Sequence, residues 1–420
     1  MQFALAVFIF VIAYAVIVSE RIHQTTIAIA GGVLMVVLGV INQEMAFAAI
    51  DWNTIGLLIG MMVIVLITKK TGLFQYVAIR AAKVAKGDPI RIMIYLALLT
   101  GFFSALLDNV TTILLIAPVT FVIADNLKIN PLPIIIAEII FSNVGGTATL
   151  IGGPPNILIG SAAGLTFVDF LLNLAPIALI ISLPSLLIIW LFFRNQLKTT
   201  EELKNSIMRF DASTSITDVA LLRKSLFVLA VTMIGFLVHA SLGLEPATVA
   251  LFGAGLLLVI TNTHPEEVLK EVEWTTIIFF SGLFILVAGI EHVGLIDMMA
   301  EKVLHFTAGS MTATTLTILW ASAVFSAFID NIPFVATMIP LVQDLGRSGL
   351  DINPLWWALA LGGQIGGNAT LIGSANNLVA AGLTEKAGYK LGFKEYMIVG
   401  SSVTFVCMLI STVYVWLRYL

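Results

Sequence analysis

With an offset of 222 residues the chain falls onto itself, and the matching positions are ones that apolar segments do not share by chance. Trp52-Asn53-Thr54 falls on Trp274-Thr275-Thr276, and Gly72-Leu73 on Gly294-Leu295. Ser104, Asp108, Asn109 and Pro118 fall on Ser326, Asp330, Asn331 and Pro340 without a gap. After a slip of one residue, Gly145-Gly146-Thr147-Ala148-Thr149-Leu150-Ile151-Gly152 falls on Gly366-Gly367-Asn368-Ala369-Thr370-Leu371-Ile372-Gly373, and Asn156 on Asn377. Unrelated hydrophobic helices match at Leu and Ile; they do not hold Asp, Asn, Pro and Gly in register. The chain is an internal duplication.

Each copy consists of apolar runs long enough to cross a bilayer core of about 30 Å. They lie at about 3–19, 25–42, 53–68, 91–122, 132–163 and 171–193, then at about 225–240, 247–261, 275–290, 312–343, 353–381 and 396–417. Only 11% of residues are charged and mean hydropathy is +1.04, where a soluble domain carries roughly a quarter charged residues. The first run lacks a basic start and a small-residue cleavage site, and another apolar run follows at once, so it reads as a span rather than a signal peptide. The predicted fold is an all-α polytopic membrane protein of two inverted repeats, each with five transmembrane helices, one re-entrant hairpin and one broken helix. Residues 1–193 form the first repeat (hairpin 91–122, broken helix 132–163), 194–224 a polar cytoplasmic linker, and 225–420 the second (hairpin 312–343, broken helix 353–381).

Five crossings per repeat is an odd number, which turns the second repeat over. With the loop 69–91 in the cytoplasm, all of the 21 lysines and arginines except Lys302, Arg347 and Arg418 fall on that side, as the positive-inside rule requires. Full double crossings in place of the hairpins would give the same count. The expected location is the inner (plasma) membrane, with both termini extracytoplasmic.

Composition excludes several classes. A net charge of -4 and no basic run interleaved with aromatics predict no nucleic-acid partner. The single cysteine, Cys407, supports neither a disulfide nor a thiolate metal cluster and reads as a buried apolar residue. His23, His239, His264, His292 and His305 lie near span ends without metal-ligand spacing. No Ser-His-Asp order, phosphate loop or HExxH is present, so neither an enzyme nor a cofactor is expected. Trp52, Trp274, Trp356 and Trp357 read as interfacial anchors.

Two features carry chemistry. Asp108-Asn109 and Asp330-Asn331 lie inside apolar runs where a hairpin would turn. A carboxylate at membrane depth costs several kcal/mol unless paired, hydrated or protonated, so it marks function by default; the alternative is a pair that only caps the turn. Thr111, Thr112 and Thr337 add hydroxyls nearby. The second feature is the glycine-rich stretch, Gly145, Gly146, Thr147 and Thr149 in one copy and Gly366, Gly367, Asn368 and Thr370 in the other. Such a stretch does not hold a continuous helix, and Pro154-Pro155 reinforces the first break. Non-helical backbone at this depth lines a cavity or is buried in protein, and paired breaks in two inverted halves point to a carrier's binding site. Freed carbonyls suit a small cation and freed N–H groups suit polar or anionic groups; a glycine packing seam is the competing explanation. Asn143 aligns with Gln364, and Asn156 with Asn377, adding amides to the candidate set. Glu138, one turn before Ser142-Asn143, has no acidic equivalent in the second copy and is a third proton-carrying candidate beside Asp108 and Asp330, unless a buried lysine pairs with it.

The stretches Asp108-Asn109-Val110-Thr111-Thr112 and Asn143 through Asn156 resemble the ion transporter superfamily, and most closely its ArsB/NhaD group and the melanosomal P protein, over nearly the whole chain. More distantly the chain resembles the sodium–dicarboxylate symporters. The resemblance implies a homodimer, an elevator motion of hairpins and broken helices against a scaffold, and a small inorganic solute or ion as cargo. One departure is physical: where the dicarboxylate carriers have Ser-Asn-Thr at the hairpin tips, Asp108 and Asp330 replace the serine, and two carboxylates repel a dianion in a low-dielectric pocket. They suit Na⁺ or exchangeable protons instead. Asn331-Ile332-Pro333 lacks the threonine, so the half-sites are not expected to be equivalent. The function expected is proton-coupled efflux of arsenite or antimonite, with Na⁺/H⁺ antiport or a P-protein-type anion transporter or channel as alternatives. Arsenite is a neutral trihydroxide near neutral pH and needs no counter-charge; capture by thiol is ruled out, because no cysteine lies near the motifs.

Overall fold

The computed structural model describes residues 2–19 and 21–420, and the described chain is helical throughout. The first half contains α1 (Gln2–Ser19), α2 (Gln24–Val37), α3 (Gln43–Ala48), α4 (Trp52–Lys69), α5 (Leu73–Val84) and α6 (Pro89–Leu106). It continues with α7 (Asn109–Leu127), α8 (Leu132–Gly146), α9 (Pro154–Ala163), α10 (Phe167–Asn173) and α11 (Ala175–Phe193). After α12 (Glu201–Met208) the second half follows: α13 (Val219–Val238), α14 (Pro246–Thr261), α15 (Pro265–Leu269), α16 (Trp274–His292) and α17 (Leu295–Phe306). It closes with α18 (Met311–Ser326), α19 (Asn331–Arg347), α20 (Asn353–Gly366), α21 (Ala375–Lys386) and α22 (Phe393–Tyr419). Eight described helices are long and apolar enough to cross a membrane, or up to ten if each sharply bent pair counts as one span.

Helix packing repeats with the sequence. α6 runs along α8 as α18 runs along α20, and the halves interlock reciprocally: α4 packs on α14 and α16 on α2, α7 on α21 and α19 on α9. The closest approaches sit at equivalent glycines. A methyl at Gly60 would lie 2.5 Å from the Ala250 carbonyl carbon, and one at Gly282 2.5 Å from that of Ala28. Ser185 and Cys407 are 222 positions apart and touch, Oγ to Sγ 3.3 Å.

Four expectations change on the structure. The loop 69–91 and its equivalent each hold an amphipathic helix, α5 and α17, which begins at a left-handed glycine (Gly72 φ 77°, Gly294 φ 79°). Phe74, Ala78 and Ala82 are buried along one face of α5, the spacing of a helix packed on one side. Trp356 and Trp357 are buried, not interfacial: Trp357 Nε1 donates to Asn353 Oδ1 at 3.0 Å and its ring meets Phe170 edge-on. Trp52 and Trp274 are exposed, as anchors require. His239 is buried as well, with Nδ1 2.8 Å from the Leu244 carbonyl. Cys407 is buried. The polar segment 194–224 is docked rather than loose, with Thr199 Oγ1 donating to the Leu127 carbonyl and Lys83 Nζ to that of Phe210.

Candidate functional site

Each hairpin turns immediately before its Asp-Asn pair, so the aspartate becomes the N-cap of the returning helix. Asp108 Oδ1 accepts from Thr111 N at 2.8 Å and opens α7; Asp330 Oδ1 accepts from Ile332 N at 2.9 Å and opens α19. Carboxylates at these positions satisfy first-turn N–H groups and lie at the positive end of the helix dipole. Thr112 Oγ1 turns back onto the Asp108 carbonyl at 2.6 Å. Thr337 Oγ1 bonds the Pro333 carbonyl at 2.9 Å, and the Tyr14 hydroxyl of α1 donates to the same carbonyl at 2.7 Å. The repeat equivalent of Tyr14 is Phe236, so this hydroxyl tie to the second hairpin has no counterpart on the first.

The glycine stretches are breaks, as read, between α8 and α9 and between α20 and α21. Several of their carbonyls, however, are already held. Asn156 Nδ2 donates to the carbonyls of Gly146, Thr147 and Thr149 at 3.1, 3.3 and 2.8 Å. Asn377 Nδ2 donates to those of Gly367 and Thr370 at 2.7 and 2.9 Å. Each break is closed by the asparagine that follows it. Thr149 Oγ1 ties the first break to the Ala105 carbonyl at 2.5 Å, and Thr370 Oγ1 ties the second to that of Ala327, the equivalent residue. Gly145 and Gly366 serve close approach: a methyl at either would overlap the carbonyl of Gly101 or Ala323 on the neighbouring hairpin helix. The packing-seam explanation therefore holds for part of the motif, alongside the break.

Tips and breaks meet in a buried junction of amides. Asn109 Nδ2 donates to Asn143 Oδ1 at 3.0 Å and to Asn376 Oδ1 at 3.4 Å. Asn143 Nδ2 reaches Asn368 Oδ1 at 2.8 Å and Asn377 Oδ1 at 3.2 Å. Asn331 Nδ2 donates to Gln364 Oε1 at 3.1 Å. Asn109, Asn143, Asn331, Gln364, Asn368 and Asn377 are all buried. Among the described residues no lysine or arginine hydrogen-bonds into this junction, whose lining is polar and uncharged apart from the two capping aspartates. Thr147 bonds the Asn143 carbonyl at 2.8 Å and supports it from within the break.

Several members were not assigned from sequence. Asn376 Nδ2 donates to Ser142 Oγ at 2.6 Å, and Ser374 Oγ to Asn376 Oδ1 at 2.5 Å. The equivalents of Asn376 and Ser374 are Pro155 and Gly153, so the duplication carries no signal for them. Ser104 and Ser326 did carry one, as matched positions; their hydroxyls bond the carbonyls of Ser142 and Gly363 at 2.5 and 2.6 Å, pinning each hairpin to its broken helix. Glu138 stands apart from the junction. It is fully buried on α8; Thr120 Oγ1 of α7 donates to its Oε1, and Oε2 has no partner. Among the described residues no lysine pairs with it.

Two cavities flank the hairpins and are repeat equivalents. One, of about 210 Å³, is lined by Met62, Val65, Leu66 and Lys69 of α4, Thr111, Leu114 and Leu115 of α7, and Glu271 and Glu273. The other, of about 340 Å³, has Phe284, Val287, Ala288 and Glu291 of α16, Ala49 and Asp51 in the equivalent places, with Ala336 through Gln343 of α19 and part of α9 opposite. In the first, Lys69 lies 3.8 Å from Glu271. Half-buried Glu273, just ahead of α16, has its carboxyl pushed up to about 7, first by burial and then by the Asp108 carboxylate.

A buried polar junction assembled from hairpin tips and broken spans is an arrangement that suits a membrane transporter. The sequence comparisons agree. Residues 14–362 match the family model described as citrate transporter, and the chain belongs to that family. An uncharacterized transporter of Mycobacterium tuberculosis is 44% identical, with 99% of this chain and 98% of the relative covered. The P protein of Mus musculus is 31% identical over 100% of this chain, which spans 60% of that longer protein. Among solved structures, the Alcanivorax borkumensis YdaH transporter superposes with a TM-score of 0.60 at 14% identity, covering 100% of this chain and 98% of that one. Neisseria gonorrhoeae MtrF gives 0.56 at 13%, covering 99% and 95%. At these identities the structures speak for the fold alone.

Proposed function

We propose that this transporter is a proton-coupled carrier that exports a small uncharged oxyacid, arsenite or antimonite, by sliding its hairpins and broken helices against a scaffold of the remaining spans. The observation that carries the cargo is the junction itself: buried, amide-lined and, among the described residues, with no lysine or arginine hydrogen-bonded into it. A neutral trihydroxide meets such a lining with hydrogen bonds alone, whereas an anion there faces Asp108 and Asp330 across a low dielectric. Those two carboxylates and Glu138 are the groups that exchange protons.

Sliding is supported by the two flanking cavities. Equivalent scaffold faces meet α7 at 111–115 but α19 at 336–343, the equivalents of 114–121. On this proposal the second hairpin stands further along its scaffold face than the first, which accounts for the different stretches the two cavities border. In two inverted repeats, exchanging these registers exchanges the side of the membrane to which the site opens. Exposed apolar stripes such as Leu179, Leu183, Leu187 and Leu191 on α11 suit lipid or a second copy, and a homodimer is part of the proposal.

Na⁺/H⁺ antiport is the second reading, favoured by the aspartate at each tip. The capping of the break carbonyls by Asn156 and Asn377 weighs against it, because it removes ligands a cation would use. The family's description adds citrate as a third cargo, which needs protons or cations to enter beside two aspartates. The experiment is transport in proteoliposomes under an imposed pH gradient, with arsenite, Na⁺ and citrate offered separately to wild type, Asp108→Asn and Asp330→Asn. Gradient-driven arsenite movement lost in the variants supports the proposal. Proton movement answering Na⁺ alone moves the assignment to antiport, citrate movement alone moves it to the polycarboxylates, and single-channel currents would replace the carrier with a channel.

A further inference from the structure

The two halves bring equivalent amides to the junction and satisfy them differently. In the first, a chain of bonds closes: Asn109 Nδ2 donates to Asn143 Oδ1, and Asn143 Nδ2 donates to Asn377 Oδ1. The equivalent chain begins identically, with Asn331 Nδ2 on Gln364 Oε1, and then stops. Gln364 Nε2 is buried without an acceptor, and Asn156 Oδ1, the equivalent of the oxygen that closes the first chain, is buried without a donor. Both side chains are fully enclosed. Their orientations are set by their other ends, since Asn331 holds the Gln364 oxygen and three break carbonyls hold the Asn156 nitrogen. Gln364 Nε2 packs against Gly153, where a methyl would overlap it, and Gly153 stands three residues ahead of Asn156 at the start of α9.

A buried amide group without a partner costs about 1–3 kcal/mol and calls for an explanation. Here one donor and one acceptor are left at the place where the sister half is closed by its own side chains. We infer that the transported solute binds in this second half-site, through a hydroxyl group that accepts from Gln364 Nε2 and donates to Asn156 Oδ1, while the half-site around Asn143 is a self-closed structural counterpart. The inference rests on the carrier reading only for the word transported. A bare cation is coordinated by acceptors and is repelled by the Gln364 N–H; a carboxylate accepts only and leaves Asn156 Oδ1 unmet. A hydroxyl does both, so the ligand class is a neutral oxyacid or a hydroxy acid. Asn109 Oδ1, buried without a donor at the first tip, is a further acceptor for a ligand with several hydroxyls. Gly153 is part of the site, because any side chain there displaces the Gln364 head.

The test is binding by the purified full chain, read as a ligand-dependent rise in thermal unfolding midpoint with arsenite, antimonite and citrate, which all bear hydroxyls, and with Na⁺ against choline. Saturable stabilisation by at least one hydroxyl-bearing probe is expected. Gln364→Glu, which turns the donor into an acceptor, weakens it by about tenfold or more, as loss of a buried hydrogen bond does. Gly153→Ala does the same; because the three atoms its methyl would meet first all belong to the Gln364 side chain, the double variant Gly153→Ala/Gln364→Ala recovers the unliganded midpoint without recovering affinity. No shift with any of the three probes, shifts with Na⁺ alone, or affinities that Gln364→Glu and the double variant leave unchanged would overturn the inference. Binding that behaves as stated beside a failure of proton-coupled transport would remove the coupling and leave the site.

Discussion

The two halves of this molecule share a backbone plan and differ in a handful of side chains at its centre. Both hairpins turn at an aspartate that caps the returning helix, and both breaks are sealed by the asparagine three or four residues beyond the last motif glycine. Between them, Asn143 is replaced by Gln364, Thr147 by Asn368, Pro155 by Asn376 and Tyr14 by Phe236 at equivalent positions. Architecture is duplicated and chemistry is not. What both halves need in order to fold has stayed the same, while the differences gather where hydrogen bonds are left open or extra ties are made.

That division predicts which substitutions act alike in the two halves and which do not. The largest effects should be symmetric. Gly145→Val and Gly366→Val each drive a side chain into a neighbouring carbonyl, and each should cost about 3 kcal/mol or more, read as loss of the monodisperse peak in size-exclusion chromatography; tolerance of one alone would break the structural equivalence. Asn156→Ala and Asn377→Ala come next, at about 1–3 kcal/mol per stranded carbonyl, measured as a drop in unfolding midpoint. An unchanged midpoint in either would show that its break is satisfied by other means.

Smaller and one-sided effects sharpen the contrast. Tyr14→Phe removes the hydroxyl tie to the Pro333 carbonyl and should lower the midpoint by about 0.5–1.5 kcal/mol equivalent, whereas Phe236→Tyr should bring no matching gain. The smallest effect concerns Glu273. Its carboxyl, raised to about 7, is mostly protonated below that pH and ionised above it, so Glu273→Gln mimics the acid form. Transport by this variant should match wild type near pH 5.5 and depart from it only above about pH 7. A difference that persists undiminished at low pH would remove Glu273 from the titration.

Much of this plan was legible before any coordinates. Asp108-Asn109, the glycine stretches and Pro154-Pro155 announce turns and breaks because those residues are costly in a continuous apolar helix, and the duplication doubled each signal. The capping role of Asn156 and Asn377 was not legible, since an amide aimed at a solute and one aimed at its own backbone look the same in sequence. α5 and α17 read as connections because their buried faces are short and built largely from alanine. Trp356 and Trp357 misled through position: a tryptophan pair near a span end is as compatible with a buried helix start as with a headgroup anchor. Asn376 was invisible for want of a partner in the other half.

The sealing of both breaks by asparagine has a consequence for the transport cycle. A break whose carbonyls waited for a cargo ion would be stable only when loaded, and the vacant protein would stall on the side where it released its cargo. Here Asn156 and Asn377 hold the carbonyls of Gly146, Thr147, Thr149, Gly367 and Thr370 whether or not anything is bound, so these groups add no desolvation cost to an unloaded return. Under the proton-coupled proposal, whatever prevents idle cycling would then reside in the charge state of Asp108, Asp330 and Glu138 rather than in those carbonyls.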